Sequence, residues 1–465
     1  MDPQQVPSHH SSEDEKIDAS SDKELHHPTM TDGEKGAPPV EAAAAADSNP
    51  PAPPAGPHGG SVPNGGTQAW LQVLGSWMLF FNTWGILNTF GVYQTYYESG
   101  DLFQTSSSDI SWIGSIQSLM VLLIGALIGP FYDRGHFRVL LIAGSFGVVF
   151  GHMMLSLCHT FWQTLLAQGF VVGIGGGLLF VPAVAILPTY FSTKLGLAMG
   201  LAASGSSMGG IIYPIMFYKL LSEVGFAWAV RILGFTALAT LMVPLAVMRM
   251  RAKPSRVRAM IDVTALTDGP YMLFVGGCLL GFIGLYDAIF YFSFFGQATG
   301  ITDASMSFYL VPILNAGSVF GRTLPNALSD KVGPLNVIVP GAFMVGIVLF
   351  CNLAVHNTGG LVVNILAFGF FSGIFIALPP VVFVGLTKDK SRIGTRIGMG
   401  MAMFGLGVLA GGPGGGGILQ RNGSENSELD WTGTWVFGGV CSLASGVVFL
   451  ILRIWKGGFK LMVKC

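Results

Sequence analysis

From Gln68 onward, apolar stretches of about twenty residues follow one another with only short polar interruptions. Twelve can be marked out, at 68–95, 110–131, 138–157, 163–187, 195–220, 227–248, 270–297, 304–325, 335–355, 360–385, 397–419 and 432–454. A helix needs roughly 20 apolar residues to cross the hydrocarbon core of a bilayer. No water reaches that core, so the backbone of such a segment must satisfy its own hydrogen bonds, as a helix does. Composition agrees: 51% of residues are hydrophobic and 11% charged, and mean hydropathy is +0.60, whereas soluble chains carry about 25% charged residues. The 65 glycines suit helices that approach closely in lipid. The expectation is an all-α membrane protein with twelve transmembrane helices. A soluble enzyme, a nucleic-acid binder and a disulfide scaffold are excluded on the same grounds.

The net charge of −1 joins two unlike parts. Residues 1–66 carry 11 of the 25 acids, 3 of the 24 bases and 11 of the 25 prolines; the remainder carries a surplus of bases. With almost no large apolar residues, residues 1–66 cannot bury enough surface to offset chain entropy, and they lack the apolar region of a signal peptide. They read as a disordered cytosolic tail. Cys158, Cys278, Cys351 and Cys441 fall in or beside apolar segments and Cys465 is the last residue, which gives neither a disulfide framework nor metal-ligand spacing. No cofactor or metal is expected.

The bases sort by loop. Arg134, Arg138 and Lys194 lie in even loops of the first half, and Arg249, Arg251, Lys253, Arg256 and Arg258 crowd the middle loop. Lys331, Lys388, Lys390, Arg392 and Arg396 lie in even loops of the second half, while the odd loops hold mainly acids, with Arg421 the exception. The positive-inside rule then places both termini in the cytosol. The chain divides into a tail (1–66), a six-helix half (67–248), a basic central loop (249–269), a second six-helix half (270–455) and a short cytosolic C-terminus (456–465). Asp133-Arg134 recurs as Asp330-Lys331, 197 positions on, and Lys194-x-Gly196-xxx-Gly200 recurs as Arg392-x-Gly394-xxx-Gly398. Duplicated halves are the mark of a secondary transporter with its site between them.

Two charges are of most interest within the apolar segments, whereas Lys219 and Arg231 lie near the outer ends of spans 5 and 6, where interfacial anchoring explains them. Arg322 inside a span costs about 2.5–3.5 kcal/mol on insertion scales. It is tolerated either because it faces a wet cavity, where its planar fork suits a carboxylate, or because it snorkels to the nearby interface. Asp287 lies some 25 Å along its span from the cytosolic start at 1.5 Å per residue, so a salt bridge to Arg322 is not expected. It is either a buried proton carrier or a group in a watery outer vestibule. Asn88 and Tyr93 on span 1 and Asn315 on span 8 are candidates to line a substrate cavity, or else to bond between helices. The glycine patterns at 205–210 and 411–417 point to close packing of spans 5 and 11. Asn422-Gly-Ser424 is a glycosylation sequon on an external loop.

Gly129-Pro-Phe-Tyr-Asp133-Arg134-Gly-His-Phe-Arg138 resembles the loop 2–3 signature of the major facilitator superfamily. An acid at a helix N-terminus with bases at a C-terminus can latch neighbouring helices, so Asp133, Arg134, Arg138, Asp330 and Lys331 are the candidate conformational latch. Asn64-Gly-Gly-Thr-Gln-Ala-Trp70 with Phe80 to Glu98, the stretch from Tyr190-Phe191 to Gly210, and Gly321-Arg322 with Asp330-Lys331 resemble the monocarboxylate transporter family in its fungal form. The resemblance implies a carboxylate-binding role for Arg322. The family's first-helix lysine and eighth-helix acid, tied to proton coupling, fall at Asn88 and Ser318, and the acid before the glycine pair is Asn64.

No Gly-xxxx-Gly-Lys-Ser/Thr loop is present, which speaks against ATP-driven transport. The expected function is alternating-access transport of a monocarboxylate or related small organic anion, with proton symport and Asp287 as the candidate coupling group. The alternative is export of a larger fungal metabolite; a carrier-like nutrient sensor ranks behind both. An intramembrane enzyme would need clustered catalytic acids or histidines, and His152 and Asp287 stand apart in the sequence. The partners implied are a small-molecule anion or metabolite, protons, membrane lipid and an accessory membrane protein left unnamed. The plasma membrane is the expected location, with the vacuolar membrane as the alternative.

Overall fold

The computed structural model describes residues 63–191, 194–251, 259–389, 392–420 and 429–458. Most of the tail, Lys253, Arg256, Arg258, Lys390, Arg421, the sequon residue Asn422 and Cys465 lie outside the described residues. Every regular element among the described residues is helical. The first half contains α1 (Thr67–Asn82), α2 (Trp84–Asn88), α3 (Phe90–Glu98), α4 (Ser107–Leu127), α5 (Gly129–Asp133), α6 (Phe137–Leu155), α7 (Phe161–Thr164), α8 (Gly173–Ala185) and α9 (Leu195–Val247). A π-helical stretch, Leu165–Val172, joins α7 to α8. The short α10 (Val263–Leu266) precedes α11 (Gly269–Ala298), α12 (Ala304–Val332), α13 (Pro334–Cys351), α14 (Thr358–Ala377), α15 (Pro379–Leu386), α16 (Ile393–Leu419) and α17 (Trp431–Gly457).

Ten helices among the described residues are long and apolar enough to cross a membrane. Residues 67–98 are not among them because the first apolar segment is broken into three. Thr83 and Thr89 return their hydroxyls to the carbonyls of Leu79 and Gly85, four residues back, a bond that competes with the helix ladder and bends it. The opposite happens at α9, whose 53 residues would extend roughly 80 Å at 1.5 Å per residue. Its backbone leaves the helical region at Gly225 (φ 72°, ψ 172°), a conformation that glycine adopts without a Cβ clash. The expected segments 195–220 and 227–248 therefore lie on either side of this break.

Helix starts follow the sequence closely. Ser106, Asp268, Asp303, Asn357 and Asp430 each accept a hydrogen bond from a backbone N–H of the first turn, satisfying donors that the helix itself cannot. Two of the odd-loop acids, Asp303 and Asp430, thus have a local structural role besides any topological one.

Glycine stripes set how closely the helices approach. Gly407, Gly411 and Gly415 of α16 lie against Leu279, Ile283 and Asp287 of α11, four-residue steps on both helices. Gly205 and Gly209 of α9 lie against the carbonyls of Trp77 and Phe81 in the same way. A Cβ would meet backbone at Gly205, Gly209, Gly407 and Gly411 and the Asp287 carboxylate at Gly415, so the patterns at 205–210 and 411–417 are contact surfaces. The Asn64-Gly-Gly motif docks beside the second signature stretch: Asn64 N–H donates to the Tyr190 carbonyl at 3.0 Å, and Trp70 packs edge-on against Phe191.

The central loop is not simply basic. Arg396 donates through Nε to Asp262 (3.0 Å) and through Nη1 to Asp268 (2.7 Å), and Arg392 donates to Asp262 (2.9 Å) and Asp389 (3.1 Å). Burial would raise the Asp262 carboxyl, but the Thr264 hydroxyl and the two guanidinium groups prevail and hold it down at about 2. Two of the bases that sort by loop are thereby tied to acids of the segment joining the halves.

Candidate functional site

A cavity lies between the two halves, towards the end that carries the basic loops. The first half contributes Phe80, Trp84, Leu122, Phe180, Met199 and Ala203, and the second contributes Phe282, Ile376, Met401 and Phe404. The polar part of its lining comes from one helix, α12, through Arg322, Asn326, Ser329 and Asp330. Aromatic and sulfur-bearing walls around a few converging polar groups are the ordinary form of a small-molecule site.

Arg322 is 1% exposed, so it does not snorkel. Its helix continues to Val332, past the end that the apolar pattern marks at 325, which keeps Arg322 two to three turns inside the helix terminus. Nε donates to the Ser318 hydroxyl at 3.0 Å and Nη1 to the hydroxyl of Ser206 on α9. Nη2 is buried with no partner among the described residues. A buried donor left unpaired is costly, and this one belongs to a residue on the cavity wall. An oxyanion in the cavity would complete the fork.

The other polar candidates divide. Asn88 donates to the Asn315 side chain at 3.1 Å, and Asn315 donates to the Val311 carbonyl at 3.0 Å. The pair joins α2 to α12, and Asn315 occupies space left by Gly210 of α9. Tyr93 packs against Phe217, with ring centroids 4.4 Å apart, and its hydroxyl is buried without a partner. None of the three is among the cavity-lining residues, so the structure does not bring them to Arg322.

Asp287 has no exposed surface in this arrangement, in which the acidic end is closed. Both carboxylate oxygens lack hydrogen-bond partners among the described residues, and they lie against Gly415 of α16 and Gly438 of α17. It shares no ion pair with Arg322, as expected from their positions along the spans. His152 is buried and its Nδ1 bonds to the Val148 carbonyl at 2.8 Å, within its own helix.

Among the latch candidates, Asp330 meets the facing half. Its carboxylate lies against the Cα of Gly196 in the first turn of α9, where the helix dipole favours negative charge. Asp133 is buried on α5, which packs on α16. Arg134 lies over the Phe131 ring at 5.7 Å, Arg138 donates to the Leu245 carbonyl at 3.1 Å, and Lys331 is exposed.

At the opposite, acidic end the halves meet directly. Phe90 and Phe290 pack edge-on at 4.8 Å. The Tyr291 hydroxyl bonds to the carbonyls of Ser107 and Gly412, at 3.3 and 3.2 Å, and the Ser108 hydroxyl donates to the Pro413 carbonyl at 3.2 Å. Sequence reasoning did not single out Ser206, Tyr291 or the aromatic cavity walls. Each is an ordinary residue for an apolar span and becomes special only through its neighbours from the other half.

Comparison with known proteins adds to this geometry. Residues 69–350 match the family model described as Major Facilitator Superfamily. The MFS-type transporter dbaD of Emericella nidulans is 61% identical over 388 residues, 83% of this chain and 86% of that protein. The aspyridones efflux protein apdF of the same fungus is 36% identical over 398 residues, covering 85% of this chain and 81% of its own. The agnestins efflux protein AgnL12 of Paecilomyces divaricatus is 36% identical over 389 residues, covering 83% and 88%. These relatives are fungal MFS-type transporters, two of them named as efflux proteins, and they show the superfamily, the coarser of the two resemblances.

Proposed function

The chain belongs to the Major Facilitator Superfamily, a transporter and not an enzyme, and from that premise we propose that it exports a fungal metabolite across the plasma membrane by alternating access. The observation that carries this reading is the cavity between the halves, with aromatic walls and one buried guanidinium whose Nη2 is unpartnered. Such walls accept a cargo larger and more apolar than lactate or pyruvate, and Arg322 selects a carboxylate, an enolate or another oxyanion on it. Two relatives named as efflux proteins, for aspyridones and agnestins, support export over uptake.

In this reading the membrane part has twelve spans. The apolar segment 68–95, carried by α1, α2 and α3, forms the first, and α9 supplies two that meet at Gly225. Both termini and the basic end, with the cavity, face the cytosol, and the acidic end faces outward. Cargo enters from the cytosol, neutralises Arg322 and satisfies Nη2. Closure of the basic end, where Asp330 meets α9, and opening of the acidic end then release it outside. The carboxyl of Asp287 belongs to the helix packing of the second half in this scheme, unlike the proton-carrying role its sequence position invites.

The test is untargeted mass spectrometry of cells and medium from the source fungus with the gene intact, deleted, or restored as Arg322→Gln. Export predicts an oxyanion-bearing metabolite that accumulates in deleted cells, disappears from their medium, and is not restored by the variant. Identical profiles, together with gradient-driven uptake of labelled lactate or pyruvate into proteoliposomes, would return the small monocarboxylate reading.

A further inference from the structure

Glu98 ends α3 three residues beyond the first apolar segment, at the acidic end of the boundary between the halves. Its carboxylate accepts from Gln94 Nε2 at 2.7 Å and from the Ser107 hydroxyl at 2.8 Å. Ser107 in turn accepts from Gln420 Nε2 of the second half at 3.1 Å, while its carbonyl takes the Tyr291 hydroxyl. One acid is therefore connected, through a single serine, to both elements of the second half that close this end.

The surroundings favour a neutral acid in the closed arrangement. Glu98 is half-buried and makes no ion pair among the described residues. The titratable and charged groups near it are few. Tyr291 faces it from α11; Asp109 of α4 is bonded to Thr105 and Ser106; Asp101 bonds to Ser99. From α16 the neighbour is the neutral Gln420, and the following Arg421 lies outside the described residues. Burial pushes the Glu98 carboxyl up to about 7, against the lowering effect of the Ser107 and Gln94 hydrogen bonds. The cluster also has room for the proton, because a hydroxyl has two acceptor sites and Ser107 can accept from Glu98 as well as from Gln420.

Separating the halves at this end would pull Gln420 and Tyr291 from Ser107 and admit water to the carboxylate, returning it towards its ordinary value near ~4.3. A group that binds its proton more tightly in the closed arrangement stabilises that arrangement when protonated. The stabilisation is present at low pH and is lost as pH rises through about 7.

We propose that Glu98 is the proton-binding site of the outer gate, which closes with the acid protonated and opens with it charged. Resting on the export reading, this makes release of cargo sensitive to the pH outside: the open gate takes a proton from the outer side as it closes after cargo has left, and returns it to that side when it opens again.

The experiment measures the gate without cargo. Spin labels at Glu223→Cys on α9 and Ala298→Cys on α11, both exposed, report the separation of the halves at this end. The full chain, with native cysteines replaced, is placed in lipid nanodiscs between pH 5.5 and 8.5. The parent protein is expected to gain a longer-distance population as pH rises, with a midpoint near 7. Glu98→Gln should hold the short distance throughout. An unchanging distance in the parent, or the same transition in Glu98→Gln, would overturn the proposal. Because no cargo is present, this result is independent of the metabolite comparison, and either can fail alone.

Discussion

Arg322 of α12 donates through Nη1 to the hydroxyl of Ser206 on α9, so the charge of the second half is held by the first. That bond makes the cavity wall sensitive to the separation of the halves. When α9 and α12 move apart, the guanidinium loses Ser206 and needs another acceptor, which an anionic cargo supplies. A hydrogen bond to a charged group contributes about 1.5–3 kcal/mol.

Replacing Arg322 by Gln should therefore reduce export of the cognate metabolite by roughly 10- to 100-fold, in line with that free energy. Arg322→Lys keeps the charge without the fork and should recover only part of the loss. Transport into inside-out plasma-membrane vesicles, scored by mass spectrometry, measures both. Equal transport by the wild type and Arg322→Gln would remove Arg322 from the site.

A second pair concerns stability. Gly415 leaves room for the Asp287 carboxylate, and a Cβ there would collide with Oδ1. Gly415→Ala should destabilise the protein by about 1–3 kcal/mol, the usual effect of overpacking. Asp287→Ala removes the atom that is struck, so the double variant should be more stable than Gly415→Ala alone. Thermal unfolding of the four proteins in detergent gives the coupling, and additive losses would mean that the two residues do not compete for this space.

Much of this arrangement was legible in the sequence. Apolar length and glycine spacing place most of the helices to within a few residues, because each reports a local physical requirement, and the capping Asp, Asn and Ser residues, which the sequence reading passed over, fix where several of them start. The isolated cost of Arg322 in an apolar span pointed to a function before any contact was known. What could not be read were relationships between halves far apart in the chain. Asn88 and Asn315 satisfy each other across 227 positions, so two candidate cavity residues became one interhelical bond. The break at Thr83 and the ties from Arg396 to Asp262 and Asp268 were likewise hidden, since threonine and arginine are equally at home in unbroken helices and free basic loops.

Those ties carry a pH dependence with a definite sign. Asp262 is held at about 2, below the usual aspartate value near ~3.9. A depressed carboxyl contributes stability that is present above the unfolded value and is lost as pH falls through the folded one. Between pH 7 and 5 the central loop should be unaffected by this group, and melting temperature should start to fall below about pH 4. Asp262→Asn should melt lower at neutral pH and show a shallower acid dependence. Parallel acid curves for the two proteins would show that Asp262 does not contribute.

The last prediction concerns the basic end, where the Asp330 carboxylate lies against Gly196 in the first turn of α9. A charge at a helix N-terminus is worth about 0.3–1 kcal/mol, enough to change a balance between two arrangements by roughly two- to fivefold but too little to decide whether the protein folds. Asp330→Asn should therefore shift the carrier towards the arrangement open at this end while leaving its melting temperature nearly unchanged. Gly196→Ala should act in the same direction and more strongly, because its Cβ would strike the carboxylate and push α9 from α12. A cysteine at Ala377, on the cavity wall, reports the shift through its labelling rate with an impermeant thiol reagent in inside-out vesicles. Both variants should label faster than the parent. Slower labelling in either would mean that Asp330 holds the cavity open, and the latch would then have to be sought at Asp133 and its contact with α16.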